Sequence, residues 1–457
     1  MTIDTLPDDV FLDVFDYFVK PFQGIEGWFT LVHVCRRWRT VIFGSPHRLK
    51  LQLYCTARTP VRKLPEGWPP LHIFIQQNNV RAGGIDNIIA ALQHRDRVFR
   101  VSLWDVANPQ LEQISAAMQQ PFPALTDLAL SAPFPSNDND ETALVIPDSF
   151  LGGSSPCLEY LMLRYIPLQG LPKLLLSANG LVDLFLSNIP HLVYIPPNAM
   201  ASCLSGMSKL QRLQLSFQSP PQSRPNSPNR RRQSPHPSIR FVLPALTYFE
   251  FNGSSKYLEN LVAEIDAPLL DDLSMIFPHQ HIFDTSQLAE FISCSLRLKA
   301  PKDALIIFEY SSISVKFRSQ TPASGLKLEI SCGDFSTLVH VWASSLFPLP
   351  TVEHLYVIHG PYHPHDVENI QWLELLRPFN SVENLYLSEE LAEVTASALE
   401  DPVKQGVTEV LPTLRNLFLE EAQPSGPVQE AIRQTLVTQR LSSHPITVSH
   451  WKVQGEW

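Results

Sequence analysis

The sequence predicts an α/β chain: a small helical module at the N-terminus, followed by an irregular array of short strands and helices. Three observations predict it. Residues 6–43 hold two stretches of apolar side chains at helical spacing. An apolar residue at i, i+3 and i+5 recurs ten times between residues 98 and 419, mostly at steps of 23 to 36 residues. The chain also carries 40 Pro among 457 residues, against 18 Gly. Proline is excluded from helix interiors and central strands, so this many of them calls for short, frequently punctuated elements.

Composition narrows the class. Hydrophobic residues make up 44%, enough for a sizeable core. The net charge of −10 argues against a surface that coats nucleic acid. Six Cys are scattered with no C-x-x-C pair, so neither a disulfide scaffold nor a zinc ribbon is expected. Met1-Thr2-Ile3-Asp4 opens without an apolar signal core, and no apolar run is long enough to span a bilayer. The expectation is a soluble protein, cytoplasmic and/or nuclear, that works with neither membrane nor nucleic acid.

In the module, Pro7 with Asp8 and Asp9 makes a helix start, because Pro suits the first turn and carboxylates suit the positive dipole end. Val10, Phe11, Val14, Phe15 and Phe18 follow at helical spacing. A second helix is expected over residues 28–43, with Leu31, Val34, Cys35, Trp38, Val41 and Ile42 on its apolar face and Gly44-Ser45-Pro46 as its stop. Two such helices make too little core to stand alone. They must pack on the rest of the chain, on a partner, or on both. Six carboxylates precede residue 27, and eight Lys or Arg with no acid run from Arg36 to Lys63. That basic block is expected to steer an acidic partner.

Leu6-Pro7, Val10-Phe11, Val14-Phe15, then Val34-Cys35-Arg36-Arg37-Trp38 and Ser45-Pro46 together resemble the F-box. The stretch from Asp16 to His33 is longer than the family's usual spacing, and His47-Arg48 stand where the family has an aromatic. The resemblance implies docking on a Skp-type linker protein and, through it, on a cullin-based ubiquitin ligase. The residues it assigns to that contact are Leu6, Pro7, Val10, Phe11, Val14, Phe15, Leu31, Val34, Cys35 and Trp38. The alternative is that these helices only cap the array.

The repeats begin with Val98/Val101/Leu103 and continue through Leu125/Leu128/Leu130, Leu158/Leu161/Leu163, Leu181/Leu184/Leu186 and Leu210/Leu213/Leu215. They return as Leu246/Phe249/Phe251, Leu270/Leu273/Met275, Val352/Leu355/Val357, Val382/Leu385/Leu387 and Leu414/Leu417/Leu419. This spacing is what a turn entering a short strand produces. One gap of 82 residues has room for two or three degenerate copies, with strands near 305–308 and 326–330. Pro123, Pro244 and Pro412 sit just outside strands, where a missing N–H does no harm. Helical faces fall at 109–120, 285–293, 366–377, 389–400 and 428–440. Strand then helix at this period matches the leucine-rich repeat, L-x-x-L-x-L. The Asn expected three residues after the third Leu is mostly absent, with Pro133, Ile189, Gln218 and Gly360 in its place. The whole is similar to the F-box/leucine-rich-repeat proteins of fungi, mushrooms above all. The expected division is a docking module over 1–55, a connector with the first helix over 56–97, and the solenoid over 98–457. A Pro/Ser/Arg insertion at 218–238 reads as a disordered loop, with Ser219, Ser227 and Ser234 each before Pro, either as a phosphorylation switch or as an inert insertion.

No catalytic motif assembles. The chain has no G-x-S-x-G, P-loop, G-x-G-x-x-G or H-E-x-x-H. His94-Arg95-Asp96 lacks the companions of a kinase loop. His359, His363, His365 and Asp366 cluster near a turn, where Asp366 serves more simply as a helix cap. The expectation is no enzyme, no cofactor and no metal. What remains is a surface. Residues flanking the second Leu of each copy face away from the core, among them Tyr160, Met162, Phe185, Tyr248, Glu250, His354, Tyr356, Tyr386 and Phe418. Aromatics there either anchor a protein substrate or cover one another on adjacent strands.

Overall fold

The computed structural model describes residues 6–18, 26–46, 48–49, 51–56, 71–80, 84–134, 146–167, 169, 171–190, 194–217, 240–277, 286–294, 301–308, 313–318, 327–332, 351–359, 375–388, 391, 411–420 and 446–451. The chain forms two units: Met1–Ile195 with Ser202–Leu210, and Pro196–Ala201 with Gln211–Trp457.

The first unit opens with α1 (Asp8–Phe18), α2 (Glu26–Val32) and α3 (Arg36–Gly44). Helix α1 starts as expected, with the N–H groups of Val10 and Phe11 both donating to the Pro7 carbonyl. The single helix expected over 28–43 is two. Cys35 breaks it with extended backbone (φ −155°, ψ 171°), and its Sγ accepts the Trp38 N–H at 3.4 Å. Cys35 is therefore the N-cap of α3 and not a residue of an apolar face.

Next come β1 (Gln52–Cys55), β2 (His72–Asn78), α4 (Ile85–Leu92), β3 (Val98–Trp104), α5 (Asn108–Ala117), β4 (Asp127–Ser131), β5 (Tyr160–Arg164), α6 (Leu171–Ser177) and β6 (Asp183–Ile189). All six strands pair in parallel and in chain order. Parallel pairing thus begins at residue 52, ahead of the solenoid start expected at 98. Val101, Leu128, Leu161 and Leu184 stand in one register row and Leu103, Leu130, Leu163 and Leu186 in the next, all buried. The first Leu of each copy (Leu125, Leu158, Leu181) is buried as well.

Two backbone devices repeat. Before three strands, a Pro occupies the second place of a turn closed by an i to i+3 bond: Leu125 N–H to Phe122, Leu246 to Leu243, and Leu414 to Leu411. After other strands the chain leaves through a left-handed residue, Asn79 (φ 53°), Asp105 (φ 51°) or Tyr165 (φ 57°). Asn and Asp tolerate this region, and the turn lets the Asn79 and Tyr165 N–H groups reach the carbonyls of Trp104 and Ser187 on the neighbouring strand.

In the second unit, β7 (Arg212–Phe217), β9 (Tyr248–Asn252) and β11 (Asp272–Phe277) are parallel neighbours. A side ribbon pairs β8 (Phe241–Val242) with β10 (Ile265–Asp266). Helix α7 (Pro197–Leu204) has residues in both units, and α8 (Ser255–Val262) and α9 (Ser286–Cys294) belong to the second. Among the described residues, the gap of 82 residues then holds three further strands, but not as strand–helix repeats. β12 (Asp303–Phe308), β13 (Ile313–Arg318) and β14 (Lys327–Cys332) form an antiparallel meander inserted in reverse order, with β14 beside β11. β12 lies beside β15 (His354–His359), and parallel pairing resumes through β16 (Asn384–Leu387), β17 (Asn416–Glu420) and β18 (Thr447–Trp451). The insertion at 218–238, His363, His365 and Asp366, and the helix expected at 428–440 lie outside the described residues, as does most of 366–377 and of 389–400.

Candidate functional site

The helical module is built on its own apolar cluster. Phe11, Leu12, Phe15, Trp28, Val32, Val41 and Ile42 form it, with Leu49, Leu51 and Leu71 closing it from the start of the array. The Trp38 ring packs edge-on against Phe15 at 4.9 Å and tilts on Phe11 at 5.9 Å. Trp28 Nε1–H donates to the Gln52 carbonyl on β1 at 3.1 Å. The module therefore packs on the rest of the chain.

This packing rotates the surface expected for the linker. Phe11 and Phe15 are 2% and 0% exposed. They hold the helices to one another, because their large rings fill the space between α1 and α3. Leu6, Leu31, Cys35 and Trp38 are half-buried. Pro7 is exposed, as are Val10 (40%), Val14 (43%) and Val34 (56%). Tyr17 joins them at 70% and was missed by sequence reasoning. Its signal was present, since Val10, Val14 and Tyr17 fall at i, i+4 and i+7 and make one stripe along α1.

Three cations of the basic block are engaged within the module. Arg37 donates to the Leu6 carbonyl at 2.6 Å and to Asp8 at 2.9 Å, and covers the Phe11 ring at 4.8 Å. Arg48 pairs with Asp9 and Asp13 at 3.3 and 2.6 Å, and Arg39 donates to the Val32 carbonyl. Arg37 and Arg48 thus tie α1 to α3 and the residues after it, and Arg39 ties α3 to α2; Lys50, Arg58, Arg62 and Lys63 of the block lie outside the described residues.

The second surface is the face of each sheet turned away from the buried rows. In the first unit it carries Tyr160, Met162 and Phe185, all half-buried, with the Tyr160 and Phe185 rings 5.6 Å apart. Arg100 pairs with Asp127 at 2.8 Å and lies over Phe74. In the second unit, Tyr248 Oη donates to Glu250 Oε2 at 2.5 Å, and Gln214 donates to its other oxygen at 2.9 Å. Glu250 is thus engaged within the sheet.

The last strands carry two ladders. Tyr356, Tyr386 and Phe418 are in register and stack at 4.1 and 4.4 Å, with planes within 11° and 8° of parallel. Burial, then the neighbouring Tyr386, pushes the Tyr356 hydroxyl well above the usual phenol range. Trp451 crosses from β18, packs edge-on against Tyr356 and Tyr386, and donates Nε1–H to the Leu387 carbonyl. Beside the rings runs a polar row. The Asn384 amide nitrogen lies 3.2 Å from His354 Nδ1, and Asn416 donates to Asn384 Oδ1 at 2.8 Å. Sequence reasoning missed Asn384, Asn416 and Trp451. The two Asn were legible, because Asn-Leu-Tyr-Leu and Asn-Leu-Phe-Leu repeat at one position of successive copies.

Among the described residues, no group of three His, Cys, Asp or Glu is placed to hold a metal ion. Among them too, no helix is long and apolar enough to cross a membrane. The site offers rings, amides and hydroxyls in rows, which suits contact with another surface.

No family model and no curated protein matches the chain. Among solved structures, it is similar to a leucine-rich repeat-containing protein from Legionella pneumophila, with 13% identity over 84% of this chain and 97% of that one and a TM-score of 0.25. A likeness that remote does not support the fold, which stands on the strand pairing described above.

Proposed function

We propose that the chain is a non-enzymatic, substrate-recognition adaptor of a Skp-cullin-F-box type ubiquitin ligase. The helical module docks on a Skp-type linker, and the open face of the array holds a protein substrate. The observation that carries the reading is the stripe Val10, Val14 and Tyr17, with Val34, exposed although Phe11, Leu12, Phe15, Val41 and Ile42 of the same module are buried. A folded module that leaves aliphatic and aromatic side chains along one helix fits a partner surface. Val10, Val14 and Val34 belong to the pattern by which the sequence resembles the F-box, and Tyr17 extends it. On this reading Phe11, Phe15 and Trp38 support the docking face from behind.

A second reading is favoured by the continuity of the module core into Leu49, Leu51 and Leu71 and by the Trp28–Gln52 bond. It makes the helices a cap for an interaction scaffold outside the ubiquitin system, as repeat arrays need caps. Capture by a purified Skp-type linker separates the two. The adaptor reading expects the intact chain to bind, and a V10E/V14E/Y17E variant to keep its thermal transition and lose at least about tenfold in affinity. Equal, poor capture of both by the linker rejects the adaptor and leaves the cap.

A further inference from the structure

Helices α4 and α5 pack side by side in the first unit. Between their C-terminal halves lies a groove of about 430 Å³. Its apolar lining is Ile89 and Leu92 from α4 and Ala116 and Ala117 from α5. Leu92 is fully buried, and Ile89 and Ala117 are half-buried, so they form the floor. The polar lining is Gln93, Gln113, Gln120 and Arg95, all four exposed, as Ala116 is too. The groove is therefore open to solvent along both helices. It exists because two Ala stand on α5 where larger side chains would close the gap. Its volume is near the lower end of pockets that take a small ligand, so it admits a short peptide segment and not a whole helix.

We infer that this groove binds a short segment of a protein partner, with an aliphatic side chain on the floor and an Asp or Glu carboxylate on Arg95. Charge selects that occupant. Among the described residues, Arg95 is the one charged group of the lining, and none of them forms an ion pair with it. Asp96 and Glu112, the carboxylates next to the lining in sequence, are not part of it. The carbonyls of Ala91 and His94 after α4, and of Ser115 and Met118 after α5, already accept backbone N–H groups. Little of the negative charge of the helix ends is thus left to face the groove. The three Gln amides each offer a donor and an acceptor, which suits the backbone of a peptide. One cation is too few for a nucleic acid, which is held by rows of them, on a chain of net charge −10. The inference stands apart from the adaptor reading, because neither the stripe on α1 nor the open face of the sheet lines the groove.

The test is an NMR titration of the full-length chain with two blocked tripeptides, acetyl-Ala-Leu-Glu-amide and acetyl-Ala-Leu-Gln-amide. The acidic peptide should bind the wild type about two- to fivefold better than the neutral one, as one exposed ion pair allows. That preference should shrink as salt is raised. Arg95→Gln should bring the two peptides to equal affinity. Ala116→Leu fills the groove with a good helix former at an exposed position. It should keep the melting temperature of the wild type and bind both peptides at least about fivefold more weakly. Equal binding of the two peptides by the wild type, or binding of neither, overturns the inference. So does an unchanged preference in Arg95→Gln, or undiminished binding in Ala116→Leu. If Ala116→Leu does not fold, Arg95→Gln decides, because that side chain is exposed and its loss leaves the packing of the helices intact.

Discussion

The Glu259 carboxylate on α8 accepts the backbone N–H of Leu288 at 3.1 Å. Its second oxygen accepts that of Gln287 at 2.9 Å, so one buried side chain satisfies two free donors in the first turn of α9. Arg240 supports the same turn by bonding Gln287 and Glu290. Removing the carboxylate strands both amides. Glu259→Ala should cost about 2–3 kcal/mol, and hydrogen exchange of the α9 amides should rise most. Glu259→Gln keeps one acceptor and should lose less. Urea unfolding of the three proteins measures the order.

Apart from the half-buried Cys35, burial sorts the described thiols into two groups. Cys157 and Cys294 are exposed, whereas Cys55 and Cys203 are buried, with Cys55 Sγ 3.6 Å from the Asn87 carbonyl. In the native protein a thiol reagent should modify Cys157 and Cys294 promptly, and reach Cys55 and Cys203 only on unfolding. Burial pushes the Cys55 thiol up from 9.0 to about 11. A raised value means the folded state prefers the neutral thiol. Its contribution is therefore full below pH 9.0 and is lost as pH climbs through about 11. Across that window wild-type stability should fall more steeply than that of Cys55→Ala.

Trp38 and Val10 both belong to the pattern that resembles the F-box, yet they should behave in opposite ways. Trp38 packs on Phe11 and Phe15, so Trp38→Ala should cost about 3–5 kcal/mol and broaden the melting transition. Val10 is 40% exposed, and Val10→Ala should stay within about 0.5 kcal/mol of the wild type. Differential scanning calorimetry reads both.

Tyr386 is the middle ring of its stack. Tyr386→Leu removes two stacked pairs, each worth about 0.5–1.5 kcal/mol, and should destabilise by about 1–3 kcal/mol. Tyr386→Phe keeps both stacked pairs, loses only the hydroxyl's hydrogen bond to Tyr356, and should cost less, about 0.5–1.5 kcal/mol. Equal losses in the two variants, read from urea unfolding, would mean that the hydroxyl, and not the stack, holds these strands.

Much of this architecture was legible in the chain. The apolar triplets named the buried rows, because period-two alternation leaves a strand one way to face its core. Pro123, Pro244 and Pro412 marked their turns, since the ring fixes φ where a turn needs it. The open-face aromatics were legible for the same reason as the core. Other features were not. Phe11 and Phe15 share α1 with Val10 and Val14, and all four are apolar at helical spacing, so periodicity alone could not say which pair faces inward. The break at Cys35 rests on a thiol accepting a backbone N–H, a bond few sequences advertise. The bonds from Glu259 to α9 join residues nearly thirty positions apart. The meander reads as repeats in the sequence because its strands have ordinary strand composition, and only pairing reveals their direction.

The reversed order of that meander has a consequence for how the chain acquires its structure. In a regular array each new strand can zip onto the one made before it, and folding spreads outward from any nucleus. Here β11, already beside β9, gains its second neighbour only after β12 and β13 have been made and folded back, because that neighbour is β14. β15 in turn must return across two strands to pair with β12. The loops that these pairings close are long, and their entropy is lost before any ladder bond repays it. Growth of the second sheet thus stalls at β11 until a three-strand piece is complete. The strands from β15 onward assemble on that piece and not on the strands before it.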